Sequence, residues 1–164
     1  MHRQCTMKNH VSTFLELVRL EETMNDMTLM LVDDEERYLE TTRKLLEKKG
    51  YRAVTASSGT EALNKLAQGD IHVVILDVKM PQMDGHETFR EIKKRFPLVE
   101  VIMLTGHATV ESAIEGLREG AFDYLMKPAD VELIIEKAEE AFEKYKKHQK
   151  KITMALGEGA AKPL

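Results

Sequence analysis

The feature that most constrains this chain is a strict alternation of short apolar runs with longer amphipathic segments. Five mostly apolar runs are each followed by a segment whose apolar residues recur at helical spacing. Near-continuous apolar strands separated by helices are typical of a parallel sheet that is covered on both faces. Because crossovers between parallel strands are right-handed, few topologies remain. The sequence therefore predicts an α/β fold built on a doubly wound, five-stranded parallel sheet.

The strands and helix faces are placed by their apolar residues. The predicted strands are TLMLVDD (28–34), YRAVTA (51–56), IHVVILD (71–77), VEVIMLTG (99–106) and FDYLMKP (122–128). Four helices carry aligned apolar stripes, namely Leu39, Thr42 and Leu46; Phe89, Ile92 and Phe96; Val110, Ile114 and Leu117; and Ile134, Ala138, Ala141 and Tyr145. Ser58-x-x-Glu61 predicts a capping box for the remaining helix, and Asp130 is the expected cap of the last one.

Composition excludes several classes of protein. The chain has 164 residues, which suggests one domain, and its net charge of −4 argues against gripping nucleic acid with the whole surface. Cys5 is the single cysteine, so an internal disulfide cannot form and a structural zinc site is not indicated. No run approaches the roughly 18 apolar residues of a membrane span. We therefore expect a cytoplasmic protein that contacts neither nucleic acid nor membrane.

Two terminal segments fall outside the alternating pattern around the central domain, residues 27–148. Residues 1–26 contain the capping box Thr13-x-x-Glu16 and a short apolar face that includes Phe14 and Leu15. This extension is interpreted either as a leader lying on the domain or as a short docking or dimer helix. Residues 149–164 are rich in small residues and glycine towards their end and are predicted to form a flexible tail.

Chemically distinctive residues stand where four of the predicted strands end. Asp33 and Asp34 end the first strand, Asp77 the third, Thr105 the fourth and Lys127 the fifth. Taken singly, such residues are most often helix caps, turn residues or surface side chains. In a doubly wound sheet, however, ligands bind outside the carboxyl ends of the strands, so these side chains are expected to share one edge.

Three carboxylates at one edge predict a cation site. Close carboxylates repel each other, and a divalent ion relieves that repulsion. Oxygen ligands without cysteine or histidine favour Mg²⁺, which readily shares its coordination shell with a phosphate. Lys127 adds a positive charge for a phosphoryl oxygen, and Thr105 adds a hydroxyl. Since aspartate side chains can form aspartyl phosphates, the predicted site is suited to accept a phosphoryl group.

The motifs at these positions resemble those of two-component response-regulator receiver domains. VDDEE, ILDVKMPQMDG, MLTGHA and GAFDYLMKP occur in that family's order and spacing within residues 28–147. The resemblance implies the flavodoxin-like receiver fold with strand order 2-1-3-4-5. It also implies a phosphoprotein that receives its phosphoryl group from a histidine kinase or a histidine phosphotransfer protein. Such a chain is a phosphorelay signalling domain rather than an enzyme, and it catalyses only its own phosphorylation and dephosphorylation.

The resemblance assigns roles to individual residues. Asp77 would be the phosphoacceptor and a Mg²⁺ ligand. Asp34 would bind Mg²⁺ directly, Asp33 partly through water, and Lys79 through its backbone carbonyl. Thr105 and Lys127 would hold the phosphoryl oxygens.

The resemblance also implies a switch. Thr105 would move towards the phosphoryl group, and Tyr124 would turn into the space that Thr105 leaves. The surface formed by the fourth predicted helix, the fifth strand and the last helix would then change. A homodimer through residues 108–147 is a candidate consequence. The Lys127–Pro128 peptide bond is expected to be cis.

Other functions fit this sequence less well. An FMN-binding flavodoxin needs a phosphate-cradling loop after strand one, where this chain has DDEER. An aspartate phosphatase would have an Asp-x-Asp pattern there, whereas Asp33 and Asp34 are adjacent. The serious alternative is that the chain is the receiver portion of a longer transcriptional regulator or hybrid kinase whose output domain is absent. The lysines in 144–151 are interpreted as a solvated helix end rather than as a DNA-binding surface.

Overall fold

Five strands alternate with five helices along the chain. The structure is a computed structural model that describes residues 13–15, 26–106 and 109–160. The strands are β1 (Thr28–Val32), β2 (Arg52–Ala56), β3 (Val73–Asp77), β4 (Glu100–Thr105) and β5 (Asp123–Met126). The helices are α1 (Glu36–Lys48), α2 (Gly59–Ala67), α3 (Gly85–Arg95), α4 (Val110–Arg118) and α5 (Val131–Ala160).

All five strands are parallel and form one sheet in the order β2-β1-β3-β4-β5. This confirms the predicted fold class and strand order. The register places Val32 opposite Leu76, so that the next residues along, Asp33 and Asp77, leave the sheet side by side. The carboxyl ends of β1, β3, β4 and β5 consequently meet at one edge, as the sequence predicted.

The sheet separates two apolar cores because successive residues of a strand point to opposite faces. One core packs α2 and α3 against the first face and includes Met30, Val74, Met103, Leu63 and Phe89. The other packs α1 and α5 against the second face and includes Leu31, Ile75, Leu104, Leu46 and Ile134. Every residue of β1, β3 and β4 is buried, which explains why these runs show no alternation with polar residues.

Local signals end the helices largely as the sequence indicated. Gly50 follows α1 with φ +91°, a left-handed conformation that glycine adopts without steric cost. Asp84 accepts a hydrogen bond from the Glu87 amide and caps α3. At α2 the capping box is only half formed. The Ser58 side chain accepts from the Glu61 amide, whereas the Glu61 carboxylate accepts from Ser57 instead of from the capping residue.

Helix α4 differs from the other helices because its apolar face is uncovered. Val110, Ile114 and Leu117 lie on one side as their spacing predicted, yet their exposed fractions are 72%, 44% and 45%. Only Gly116 of this helix is buried. The stripe therefore contributes little to the core and forms an apolar surface.

The C-terminal segment differs from its prediction. Residues 149–160, expected to belong to a flexible tail, continue α5 as helix to Ala160. The buried stripe of α5 is confirmed at Ile134, Ala138 and Ala141, while Tyr145 is half-buried. Of the N-terminal extension before Asp26, only residues 13–15 are described. They are helical, and the rest of that prediction lies outside the described residues. None of the described helices is long and apolar enough to cross a bilayer.

Candidate functional site

The structure brings together the three carboxylates that the sequence placed at strand ends. Asp33 follows β1 and is buried, Asp77 is the last residue of β3 and is buried, and Asp34 is exposed. One oxygen of each carboxylate lies within 4.8 Å of an oxygen of each of the other two. The Asp33 carboxylate also accepts from the Glu35 amide at 2.9 Å, which fixes its orientation at the start of α1.

Lys127 supplies the positive charge at this edge. It follows β5, and its amide donates to the Thr105 carbonyl at 2.8 Å, which anchors the loop next to β4. Its ammonium group donates to Asp33, and its Nζ lies 4.0 Å from Oδ1 of Asp77. The Lys127–Pro128 bond is cis, which confirms the prediction.

The charges at this edge do not balance among the described side chains. Burial, followed by the charge of Asp33, raises the pKa of Asp77 from 3.8 to about 6, against the opposing effect of Lys127. Burial alone would lower the pKa of Lys127, but its bond to Asp33 and the charges of both aspartates raise it. Three carboxylates thus face one ammonium group, and the excess negative charge makes ionised Asp77 costly.

The loop after β3 approaches its helix so closely that only glycine fits at Gly85. A Cβ there would lie 2.3 Å from the Asp77 carbonyl oxygen and 2.5 Å from the Cα of Val78. The Gly85 amide donates to the Val78 carbonyl at 2.9 Å. This hydrogen bond holds the first residue of α3 close to the end of β3. Lys79, the expected carbonyl ligand, lies in the same loop, and its backbone amide is hydrogen-bonded to Asp77.

The two predicted switch residues lie on neighbouring strands. Thr105 ends β4 with 1% of its surface exposed. Tyr124 lies in β5 opposite Met103 and is half-buried, with its hydroxyl enclosed. The nearest ring atoms of Tyr124 are 3.4 Å from where a Cβ on Gly116 would stand, so the ring packs directly on α4. Tyr124 therefore links the edge that carries Thr105 to the buried side of α4.

Tyr38 is a site residue that the sequence analysis did not single out. It is in the first turn of α1, and the Nζ of Lys127 lies 4.4 Å from its ring centroid. The signal available in the sequence was an aromatic residue four positions after Asp34, where the first helical turn passes over the strand ends. Nothing in the sequence pairs it with a lysine 89 positions away.

The donor set fits a hard divalent cation. Asp33, Asp34 and Asp77 offer only carboxylate oxygens. Burial first, and repulsion by Asp33 second, raise the pKa of Asp77, and a cation would offset both. Mg²⁺ prefers such ligands and retains water in its coordination shell. The exposed side of the cluster, at Asp34, leaves room for that water.

Comparison with known proteins agrees with this geometry. Residues 29–139 match the family described as the response regulator receiver domain. The chain belongs to this family. The receiver domain is 38% identical over 102 residues to the transcriptional regulatory protein ZraR of Klebsiella oxytoca, covering 62% of this chain and 23% of that protein. It is 37% identical over 107 residues to a putative NtrX-like response regulator of Rickettsia bellii, covering 64% and 22%.

Solved structures show the same fold. A receiver domain from Clostridium thermocellum is 39% identical with a TM-score of 0.69, covering 73% of this chain and 97% of that one. The receiver domain of NtrX from Brucella abortus is 32% identical with a TM-score of 0.66, covering 70% and 98%. The chain therefore spans nearly all of these isolated domains but less than a quarter of the curated relatives named above.

Proposed function

We propose that this receiver domain accepts a phosphoryl group on Asp77 from a histidine kinase or a histidine phosphotransfer protein. The observation that carries the proposal is the meeting of Asp33, Asp34, Asp77 and Lys127 at one edge of the sheet. A cytoplasmic location suits this role and remains the expectation drawn from composition.

The transfer uses the Asp77 carboxylate as nucleophile. One carboxylate oxygen attacks the phosphorus, and as the new P–O bond forms, the P–N bond to the donor imidazole breaks and the nitrogen leaves with the electron pair. Asp77 must be ionised for this attack, and with a pKa of about 6 it is mostly ionised at pH 7 to 7.5. The residues around Asp77 must then stabilise the negative charge that the phosphoryl group brings.

Several groups around Asp77 can offset the negative charge of the phosphoryl group. Mg²⁺ bound by Asp33, Asp34, Asp77 and the Lys79 carbonyl would neutralise negative charge as the phosphoryl group approaches. The Lys127 ammonium, 4.0 Å from Asp77, is close enough to pair with a phosphoryl oxygen. The Thr105 hydroxyl would provide a further hydrogen bond. We assign the same residues to the later hydrolysis of the aspartyl phosphate.

The output of this event is proposed to pass through Thr105 and Tyr124. A phosphoryl group adds a charge of roughly −1.5 to −2, and Thr105 would move to bond it. Tyr124, packed on Gly116, would transmit that movement to α4. Val110, Ile114 and Leu117 give α4 an exposed apolar face, which supports binding of a partner or a second copy within residues 108–147.

The greater length of the relatives supports the alternative that this chain is the receiver portion of a longer regulator. ZraR is named as a transcriptional regulatory protein, but this chain aligns with less than a quarter of it. We propose that residues 26–160 do not themselves bind nucleic acid. In the lysine-rich end of α5, Lys144 pairs with Glu100 and Lys146 with Glu143, which neutralises part of the positive charge. The length of the open reading frame in the source genome distinguishes the two alternatives.

The proposal is tested by incubating the chain with a small phosphodonor and Mg²⁺. Intact-mass analysis should show one added phosphoryl group, and peptide mapping should place it on Asp77. Asp77→Asn should abolish it, because the amide is not a nucleophile. Glu87→Gln, at an exposed position of α3, is the matched control and should label like the unaltered chain. Label that persists in Asp77→Asn would contradict the assignment.

A further inference from the structure

We propose that Tyr38 is a positioning residue for Lys127, and that the face of its ring holds the ammonium group beside Asp77. This inference rests on the proposed phosphoryl transfer, because it concerns the lysine that would pair with the phosphoryl oxygens. It differs from a packing role because it requires an aromatic ring at position 38 and not merely an apolar side chain. The experiment below separates a failure of this inference from a failure of the proposed function.

The ring is well placed to act on the lysine. Tyr38 is the third residue of α1, in the turn that begins just after Asp33 and Asp34. One side of the half-buried ring packs against the core that α1 shares with α5. The Nζ of Lys127 lies 4.4 Å from the ring centroid, within the roughly 6 Å over which a cation is attracted to the negative face of an aromatic ring.

Among the described residues the Lys127 ammonium has three partners, and only one of them lies outside the carboxylate cluster. The ammonium contacts Asp33, lies 4.0 Å from Asp77 and rests on Tyr38. Both aspartates belong to the carboxylate cluster that suits a divalent cation. When Asp33 serves a cation, its carboxylate is less available to the ammonium. The Tyr38 ring carries no net charge and is not a metal ligand, so it keeps the ammonium close to Asp77 in either state.

The hydroxyl of Tyr38 is not the part that acts. It is buried and lies beside the Thr42 side chain, one turn further along α1. Burial raises the pKa of Tyr38 above its ordinary value of 10.0, so the side chain is neutral at physiological pH. Phenylalanine would keep the ring face and the packing while removing only this hydroxyl. Tyr38→Phe is therefore the matched control for variants that remove the ring.

The first measurement reads the position of Lys127 without any phosphoryl transfer. Metal-free protein is treated with a trace of acetic anhydride, and labelling of Lys127 is compared with labelling of exposed Lys147 in the same molecule. Tyr38→Leu and Tyr38→Met should raise the relative labelling about threefold to tenfold, because the ammonium is less confined and loses a stabilising contact. Tyr38→Phe should match the unaltered chain. Equal labelling in the aromatic and aliphatic variants would overturn the inference.

The second measurement follows phosphorylation by a small phosphodonor with saturating Mg²⁺. Tyr38→Leu and Tyr38→Met should lower the rate about threefold to tenfold, while Tyr38→Phe keeps it. Thermal unfolding verifies that each variant is folded under the assay conditions. Two aliphatic variants of different shape are used so that the test remains possible if one of them does not fold. If the unaltered chain takes no phosphoryl group on Asp77, the proposed function fails. If it does and all four chains react equally, only the role of Tyr38 fails.

Discussion

The two ends of the sheet both bury charge, but they balance it in opposite ways. At the carboxyl end, Asp33, Asp34 and Asp77 share a single ammonium group, that of Lys127, among the described side chains. At the amino end, the arrangement is reversed: Glu100, the first residue of β4, is 1% exposed and is surrounded by cationic partners. Those partners are Lys144 at 3.0 Å and Lys93 at 3.8 Å, and the His148 ring lies 4.0 Å away.

This difference distinguishes the functional site at the carboxyl end from a structural ion-pair cluster at the amino end. Glu100 ties β4 to α3 through Lys93 and to α5 through Lys144, so its charge is compensated within the fold. Asp77 is compensated only in part by Lys127, and its pKa of about 6 reflects the cost of burying its charge near Asp33. Carboxylates with a raised pKa are frequent at functional sites, where a bound cation can supply the missing positive charge. Removing charge from one end of the sheet at a time tests whether the two ends differ in this way.

The largest effect is expected at the amino end. Glu100→Gln removes the anion and leaves Lys93 and Lys144 close together without it. We expect a loss of about 2 kcal/mol in the free energy of unfolding, below the roughly 3–5 kcal/mol of a fully buried pair because the Lys144 side chain is 42% exposed. Urea unfolding at pH 7 measures it. Glu143→Gln, which breaks a surface pair with Lys146, should cost less than about 0.5 kcal/mol. Equal losses of unfolding free energy in the two variants would contradict the view that Glu100 stabilises the fold more than an exposed ion pair does.

The opposite sign is expected at the carboxyl end. In metal-free protein at pH 7.5, Asp77→Asn should raise the free energy of unfolding by about 1 kcal/mol, because it removes a buried charge that also repels Asp33. The folded-state pKa of Asp77 is raised above its ordinary value, so its ionisation destabilises the fold above pH 6. That cost disappears as the pH falls from 6 towards 4. The advantage of the variant over the unaltered chain should shrink across the same range. Destabilisation by Asp77→Asn in the absence of metal would contradict the electrostatic account.

A smaller effect, with the reverse pH dependence, is expected at His72 next to the amino end. Its Nδ1 accepts from the Thr28 amide at 3.0 Å, which requires the neutral imidazole. Burial lowers its pKa from 6.5, while Asp70 and Arg52 act in opposite directions. Its stabilising effect is therefore complete above pH 6.5 and is lost as the pH falls below that value. We expect the unaltered chain to lose about 0.5 kcal/mol relative to His72→Asn between pH 7 and pH 5.5. An NMR titration of His72 gives its pKa directly, and a value above 6.5 would reverse the predicted sign.

Much of this architecture could be predicted from the sequence because apolar periodicity determines which residues are buried. Leu39, Thr42 and Leu46 were expected on one buried face of α1, and they are buried. The carboxylates at the strand ends were expected to converge because parallel strands end at the same edge. Both predictions depend on local spacing together with one rule of topology.

The remainder depends on contacts that local spacing does not encode. Periodicity aligned Val110 and Ile114 but does not say whether another element covers them, and none of the described elements buries them. Glycine near the C-terminus suggested a flexible tail, yet α5 extends through it, at a cost for each interior glycine of only about 1 kcal/mol. The contact between Tyr38 and Lys127 depends on how the first turn of α1 crosses the strand ends, which is a property of the folded chain.

A Mg²⁺ titration followed by amide NMR tests whether the carboxyl end of the sheet is the end that lacks positive charge. We predict saturable shifts at Asp33, Asp34, Asp77 and Lys127, with no comparable change at Glu100. Asp34→Asn should weaken binding strongly, and Glu100→Gln should leave it unchanged. Saturable binding confined to the carboxyl end would show that this end of the sheet needs an external positive charge. Shifts that do not saturate, or that appear equally at both ends, would contradict it.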